Sequence, residues 1–271
     1  LLTDTIPEEL RAVAAARLSH RVLRREVTSL ATNYLLVQKR IAPFNDLRVR
    51  QALGLSIDRI ALQGAWEKGL AIPATTLLPP DLLGYEQRDK THRPRHDESK
   101  SLLKQAGYPK GFETEIAVRR ASSLYRAALL VELKRQLEAI DVVLNVNSIP
   151  DDEYAAVVAE GDSPLLLQGW VADYPDPDAF FHSLFMSGSG RARAFLASPS
   201  LDALILDARA EVHQDERRRL YMRAEEYLRQ EAIFIPLSHD REVVYFHPNL
   251  RGLSLRLMAP HVEIDRLWVA E

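Results

Sequence analysis

The sequence predicts an α/β fold. Two observations carry that reading: strand and helix patterns alternate without a break between residues 97 and 171, and 46% of the 271 residues are apolar, enough for a substantial core. "FETEIAV" (112–118) and "DVVLNVNSI" (141–149) alternate with the two-residue period of a strand. Between them "SSLYRAALLVELKRQLEAI" (122–140) has a helical period, and 151–160 reads as a further helix before the apolar strand 164–171. A strand–helix–strand–helix–strand succession is what crossover connections in an α/β layer require.

The remaining elements follow in order. Residues 7–17 read as a helix, with Pro7 near its start, acids at 8 and 9 and an Ala/Leu-rich body. "TNYLLVQK" (32–39) is a strand. Asp46 is placed to cap the helix of "DLRVRQALGLSI", and a second helix over 58–68 ends at Gly69. Residues 71–96 are broken by prolines and lack a period, but their leucines and Tyr85 give an ordered surface loop something to bury. "DESKSLLKQAG" is a short helix closed by Gly107. Further helices are expected over 200–212 and 215–231, strands within 232–248, and one more strand over 252–257.

Composition excludes several classes of partner. The chain has 35 basic and 38 acidic residues, interspersed, for a formal charge of −3, so electrostatics offers no case for nucleic acid. It has no cysteine, which removes disulfides, thiol catalysis and cysteine–metal sites. No apolar run approaches the roughly 18–20 residues of a membrane span. The opening "LLTDTIPEELRAVAAARL" lacks the basic and apolar regions of a signal peptide and begins without methionine; the chain reads as a piece of a longer protein.

Catalysis is not indicated. GxSxG, GxGxxG, the P-loop and HExxH are all missing. His92 and His96 have helical spacing, but Pro94 between them disfavours a helix-borne metal pair. His239 and Asp240 resemble half a dyad without a marked nucleophile, and Asp173, Asp176 and Asp178 lack the glycine and terminal glutamate of a calcium-binding loop. Asp46, Arg48, Arg50, Asp58 and Arg59 read as helix caps and surface ion pairs. Arg217–Arg219 read as a solvated helix face, and Trp66 and Trp268 as packing residues.

The segment "GWVADYPDPDAF" (169–180) stands apart. Asp176 or Asp178 suits the N-cap of "AFFHSLF", with Pro177 at its start. Asp173 precedes that turn and follows Trp170 by three residues. A carboxylate beside an aromatic at a strand's carboxyl end suits a cationic ligand group: the acid supplies charge, and the aromatic wall excludes water.

Five stretches, in order, resemble a known family. "APFNDLRVRQALGLSIDRIAL" is similar to PPFxDxRVRQALxxAIDR, "GLAIPATTLLPPDLLGY" to GxAxPA…PP…GY, and "SLLKQAGYPKGFE" to LLxEAGYPxGF. "GWVADYPDPDAFF" is similar to GWxADYxDPxxF, and "SPSLDALILDAR…RRRLYMRAEEYLRQEAIFIPLSH" to NPxxDxLIxxAR…RxxLYxxAExxLxxEAxxIPLxH. Residues 33–258 thus resemble the C-terminal half of a family 5 extracellular solute-binding protein, the dipeptide/oligopeptide-binding component of an ABC importer.

The resemblance implies a lobe of the periplasmic-binding-protein type II kind, with a mixed sheet and flanking helices, in a bilobal protein that closes on its ligand at a hinge. It implies three segments: 1–32 belonging to or linking from a mostly absent first lobe, 33–245 forming the second ligand-binding lobe, and 246–271 returning toward the first. It further implies a non-enzymatic function in which Asp173 pairs the ligand's amino group and Trp170, Gly169 and Tyr174 line the site. Counting back without gaps puts the carboxylate-holding arginine of a dipeptide-binding member at Arg120, beside Arg119. Implied partners are a peptide or other small solute and a membrane permease; no cofactor, nucleic acid or membrane span is implied, and the location is periplasmic or attached to the cell surface.

The chain also departs from the pattern. Val37-Gln38 replaces FN, Arg95-His96-Asp97 replaces DPE, no asparagine precedes the NPxxD motif in "GRARAFLASPS", and Leu167 stands where longer-peptide members carry arginine. Two other readings compete: a ligand-sensing domain of a bacterial transcriptional regulator, which would be cytoplasmic, and a metal-dependent enzyme using the carboxylates of 173–178.

Overall fold

Alternation along the strands decides the layers. On β1 (Leu23–Val37), Tyr34 and Leu36 join one apolar cluster while Leu35 and Val37 join another. The same split recurs on β3 (Phe112–Arg119), where Ala117 opposes Ile116 and Val118, and on β5 (Leu165–Val171), where Leu166 opposes Leu165 and Leu167. Successive side chains of a strand point to opposite faces, so a sheet apolar on both faces must be covered on both. The computed structural model, which describes residues 23–67, 71–86, 93–123, 126–258 and 261–270, has this three-layer arrangement. The helix expected over 7–17, Gly69 and His92 lie outside the described residues.

The sheet is mixed. Its strand order is β2-β6-β1-β5-β3-β4, with β2 Ile72–Pro73, β4 Val142–Ile149 and β6 Phe234–Phe246. β3 runs parallel to β4 and to β5, whereas β1 is antiparallel to both β5 and β6. One face carries α1 (Leu47–Ser56), α2 (Arg59–Glu67), α3 (His96–Gln105) and α5 (Ala127–Glu138), the last giving Leu129, Leu133 and Leu137 to the core. The other is covered chiefly by α7 (Asp178–Phe185), α8 (Pro199–Ala210) and α9 (Gln214–Glu231). There Phe181 stacks on Tyr221 with ring centroids 5.2 Å apart. Each such fully buried side chain contributes about 1.5–3 kcal/mol.

The capping expected at Asp46 is present: its Oδ1 accepts from the Arg48 amide at 2.8 Å. Asp58 accepts from the amides of Ile60 and Ala61, both at 3.0 Å. Arg50 and Arg59 also bind backbone carbonyls, and Arg50 lies 3.9 Å from the Glu231 carboxylate. Arg50 is buried and donates to the carbonyls of Phe44 and Glu231, both at 2.8 Å, and Arg59 donates to the Pro236 carbonyl at 2.8 Å. Arg59 ties α2 to the start of β6, and Arg50 ties α1 to Glu231, the residue that ends the helix before that strand.

Three other expectations are corrected. The pattern over 122–140 divides into α4 (Arg120–Ser123) and α5, with Arg126 at φ −100°, ψ 7° ahead of the second. No strand covers 252–257. β7 (Leu250–Arg251) pairs with β8 (Trp268–Val269), and then Gly252, at φ +75°, turns the chain where a Cβ would lie 1.9 Å from the Arg266 carbonyl oxygen. Leu255 keeps a single bridge, to Val262. Trp268 is 59% exposed and packs no core.

One feature positions the site. β1 and β6 outrun the sheet as a two-stranded ribbon, Leu23–Thr28 paired with Arg241–Phe246. The pairing is interrupted between Thr28 and Thr32, and Leu30 there accepts from the Ala172 amide at 2.8 Å. Because β1 is antiparallel to β5, the ribbon projects at the end where β3, β4 and β5 finish.

Candidate functional site

In an α/β sheet the carboxyl ends of parallel strands are where backbones diverge into loops and leave a crevice. This chain has such a crevice, a cavity of about 500 Å³, within the 300–1,000 Å³ typical of small-molecule sites. Arg119 comes from the end of β3, and Asp151 and Tyr154 from the first turns of α6 (Asp151–Glu160), which follows β4. Leu167, Gln168 and Gly169 come from β5, Ser122 and Arg126 from around α4, and Arg191 and Arg193 from the loop after α7.

Four guanidinium groups thus meet one carboxylate. Arg119 pairs with Asp151 at 3.3 Å. Arg126 donates to the Leu167 carbonyl at 3.2 Å, and burial holds its pKa below the ordinary value. Tyr154 donates its hydroxyl to the same carbonyl at 3.2 Å and accepts from Gln168 at 3.1 Å. Burial raises the phenols of Tyr34 and Tyr154, and the positive charges of Arg126 and Arg191 act against it. Tyr154 therefore keeps the proton that it donates to the Leu167 carbonyl at pH 7.

Gly169 leaves the room this wall needs. A Cβ there would lie 2.7 Å from the Asn33 Oδ1 and 3.5 Å from an Arg126 Nη. Asn33, opposite Gly169 on β1, donates to Asp240 at 2.5 Å and to the Ser238 hydroxyl at 3.3 Å. Burial raises the Asp240 carboxyl. His239 is no dyad partner of Asp240, since neighbours on a strand point apart. Its Nδ1 lies 2.9 Å from the Thr32 hydroxyl, which donates to the Leu77 carbonyl, and burial pushes its pKa down to about 3.

The segment after β5 divides into free and engaged carboxylates. Asp173 is exposed, with no hydrogen bond or ion pair among the described residues. Trp170 packs one face on the core and donates its indole N–H to the Ala179 carbonyl at 2.7 Å, while the Arg191 guanidinium lies over its ring at 5.6 Å. Asp176 is gripped by Arg217 through two bonds of 2.7 Å and accepts from the Asp178 amide at 2.8 Å. The capping role thus belongs to Asp176, and Arg217 is not a solvated residue. Asp178 is buried, takes a 2.7 Å bond from the Tyr174 hydroxyl and lies 3.5 Å from Arg209. Two of the three acids are thus engaged by the protein itself, and no group of three or more metal-ligating side chains occurs among the described residues.

Of the residues singled out in the sequence, Gly169 lines the cavity and Trp170 borders it through Arg191. Tyr174 is 40% exposed, its hydroxyl spent on Asp178 and pushed up to about 12 by burial and that bond. Arg120 is exposed on α4 and is not among the cavity-lining residues, whereas Arg119 is. Adjacent residues at a strand end point to opposite sides. Sequence reasoning missed Arg126, Arg191 and Arg193. The "RAR" after two glycines was visible, but nothing in it tells which wall it joins.

The family model of bacterial extracellular solute-binding proteins, family 5, matches residues 4–191. Heme-binding protein A of Haemophilus influenzae is 29% identical over 233 residues, covering 84% of this chain and 42% of that protein. The dipeptide-binding protein of Escherichia coli is 28% identical over 244 residues, covering 87% and 45%. The chain spans about half the length of the curated relatives it matches. Among solved structures, HbpA2 of Haemophilus parasuis superposes with a TM-score of 0.85 at 24% identity, covering 96% of this chain and 52% of that one. A periplasmic binding protein of Helicobacter pylori in complex with a peptide superposes at 0.80 and 23% identity, covering 98% and 56%. These likenesses show the fold, and nothing among the relatives supports the transcriptional-regulator reading or a cytoplasmic location. No helix among the described residues is long and apolar enough to cross a membrane.

Proposed function

This chain belongs to the bacterial extracellular solute-binding proteins of family 5, and from that premise we propose that it forms one lobe of the solute-binding component of an ABC importer, with a peptide as solute. The observation that carries the proposal is the shared direction of cavity and ribbon. The ribbon of β1 and β6 projects at the end of the sheet that holds the basic cavity and the exposed Asp173, which is not itself among the cavity-lining residues. A second lobe joined through the ribbon would face both. In this proposal the boundary between lobes falls near Thr28 and Arg241, a few residues from the divisions at 32 and 245 implied by the resemblance. The protein works outside the cytoplasm and delivers its solute to a membrane permease.

Asp173 pairs the peptide's ammonium beside Trp170. The carboxylate role assigned by counting to Arg120 passes to Arg126, whose guanidinium faces the cavity from beside Gly169. Two features support this division. Asp173 needs no rearrangement to accept a cation, and Arg126 is already partly desolvated, which strengthens its attraction for an anion. Calorimetry of dipeptide binding, on the protein with whatever sequence flanks this segment in its gene, tests the reading. Asp173→Asn weakens binding on the order of tenfold or more, the value of a charge-assisted contact. Unchanged affinity removes Asp173 from the site.

A further inference from the structure

The cavity holds more positive charge than a zwitterionic solute balances. In the reading above, on which this inference rests, Asp173 takes the solute's ammonium and Arg126 its carboxylate, while Arg119 already has Asp151 at 3.3 Å. Arg191 and Arg193 are left over. Neither forms an ion pair among the described residues: Arg193 donates to the Gly190 carbonyl of its own turn at 3.3 Å, and Arg191 lies over the Trp170 ring.

Their loop is not free to turn them away. The Arg191 amide donates to the Ser183 carbonyl at 3.0 Å and the Ala192 amide to the Leu184 carbonyl at 2.7 Å. Ala192 and Phe195 are both 1% exposed, anchored in the core. Gly190 permits the tight approach, since a Cβ there would lie 2.5 Å from the Leu184 carbonyl oxygen. With the backbone fixed and residue 192 facing inward, residues 191 and 193 both present guanidinium groups at the cavity wall. Two like charges on one rigid turn are a binding site waiting for an anion, because an incoming acid relieves their repulsion and costs little ordering.

We propose that the solute carries a second negative group besides its terminal carboxylate, a peptide with an acidic side chain, and that Arg191 and Arg193 receive that group. The test is calorimetry with Ala-Glu and Glu-Ala against Ala-Gln and Gln-Ala, neutral partners of the same shape. In at least one register the acidic peptide binds about ten- to a hundredfold tighter, and the advantage shrinks as salt is raised. In the double variant Arg191→Gln, Arg193→Gln the acidic-to-neutral ratio falls to about one. Arg193→Gln alone, at an exposed side chain, reduces the ratio if the double variant misfolds. Equal affinities for acidic and neutral peptides in the unaltered protein overturn this inference and leave the solute-binding reading standing. A preference that survives the double variant overturns the assignment to these arginines, and failure of all four peptides to bind overturns the peptide reading together with it.

Discussion

Arg217→Gln probes why the Asp173 segment holds its shape. Arg217 reaches from α9 to both oxygens of Asp176 at 2.7 Å, to the Ala208 carbonyl at 3.0 Å and to the Tyr221 hydroxyl at 3.2 Å. It therefore joins α8, α9 and the turn that carries the candidate site. The two charged side chains are 20% and 31% exposed, so the pair belongs between a surface ion pair and a buried one. Breaking a fully buried pair costs about 3–5 kcal/mol, and an exposed pair is worth about 0–1 kcal/mol. We expect a loss of about 2 kcal/mol at pH 7. With a urea slope of about 3 kcal/mol/M, the unfolding midpoint falls by about 0.7 M.

The pH dependence identifies which contact matters. Burial alone would raise the Asp176 carboxyl, but the Arg217 bonds and the Asp178 amide outweigh it and leave it below its ordinary 3.8. A carboxyl depressed in the folded state stabilises fully above its unfolded pKa, and that contribution is lost as pH falls through the folded value. The stability gap between the unaltered chain and Arg217→Gln therefore narrows below about pH 4. A gap under about 0.5 kcal/mol at pH 7 would falsify the clamp. A gap that stays constant down to pH 3 would mean that Arg217 acts through Ala208 and Tyr221 instead of Asp176.

Three further outcomes are expected. Glu225, buried on α9, accepts from the Leu77 amide at 2.8 Å; Glu225→Ala strands that donor, costs about 1–3 kcal/mol and speeds proteolysis within 71–86, whereas an unchanged cleavage rate counts against the tether. Gly161→Ala forces a side chain onto a residue at φ +70°, where its Cβ would meet the Gln38 amide at 2.5 Å. We expect a melting temperature several degrees lower, about 2 kcal/mol, and no change would show that the junction yields. Ser198 caps α8 by accepting from the Leu201 amide at 3.3 Å and donates to the Tyr227 hydroxyl at 2.8 Å. Ser198→Ala costs about 1 kcal/mol in urea unfolding, and Ser198→Asp, which still accepts from the Leu201 amide, restores the cap; a Ser198→Ala protein as stable as the unaltered one counts against it.

What the sequence disclosed was what depends on neighbours along the chain. The two-residue period of 112–118 and 141–149 and the capping positions of Asp46 and Asp58 survive as read, because each is decided within a few residues. The convergence of Arg119, Arg126, Arg191 and Arg193 was not legible. It depends on β5 lying between β1 and β3, a pairing that no local pattern encodes. Arg217 looked solvated for the same reason, since its partner is 41 residues away in sequence. Of the GWxxD segment, the residue types suggested a ligand group, but only the packing separates Asp173 from the acids spent on Arg217 and Tyr174.

The gap in pairing between Thr28 and Thr32 has a mechanical result. Ser29, Leu30 and Ala31 on one strand stand against Asp240 alone on the other, so the ladder that stiffens β1 and β6 above and below is missing there. Leu30, at the centre of the gap, spends its backbone elsewhere: its amide donates to the Leu257 carbonyl at 3.3 Å and its carbonyl accepts from the Ala172 amide at 2.8 Å. The same short stretch therefore joins the end of β5, one residue before Asp173, to the segment that follows the ribbon, whose Leu257 also packs on the core.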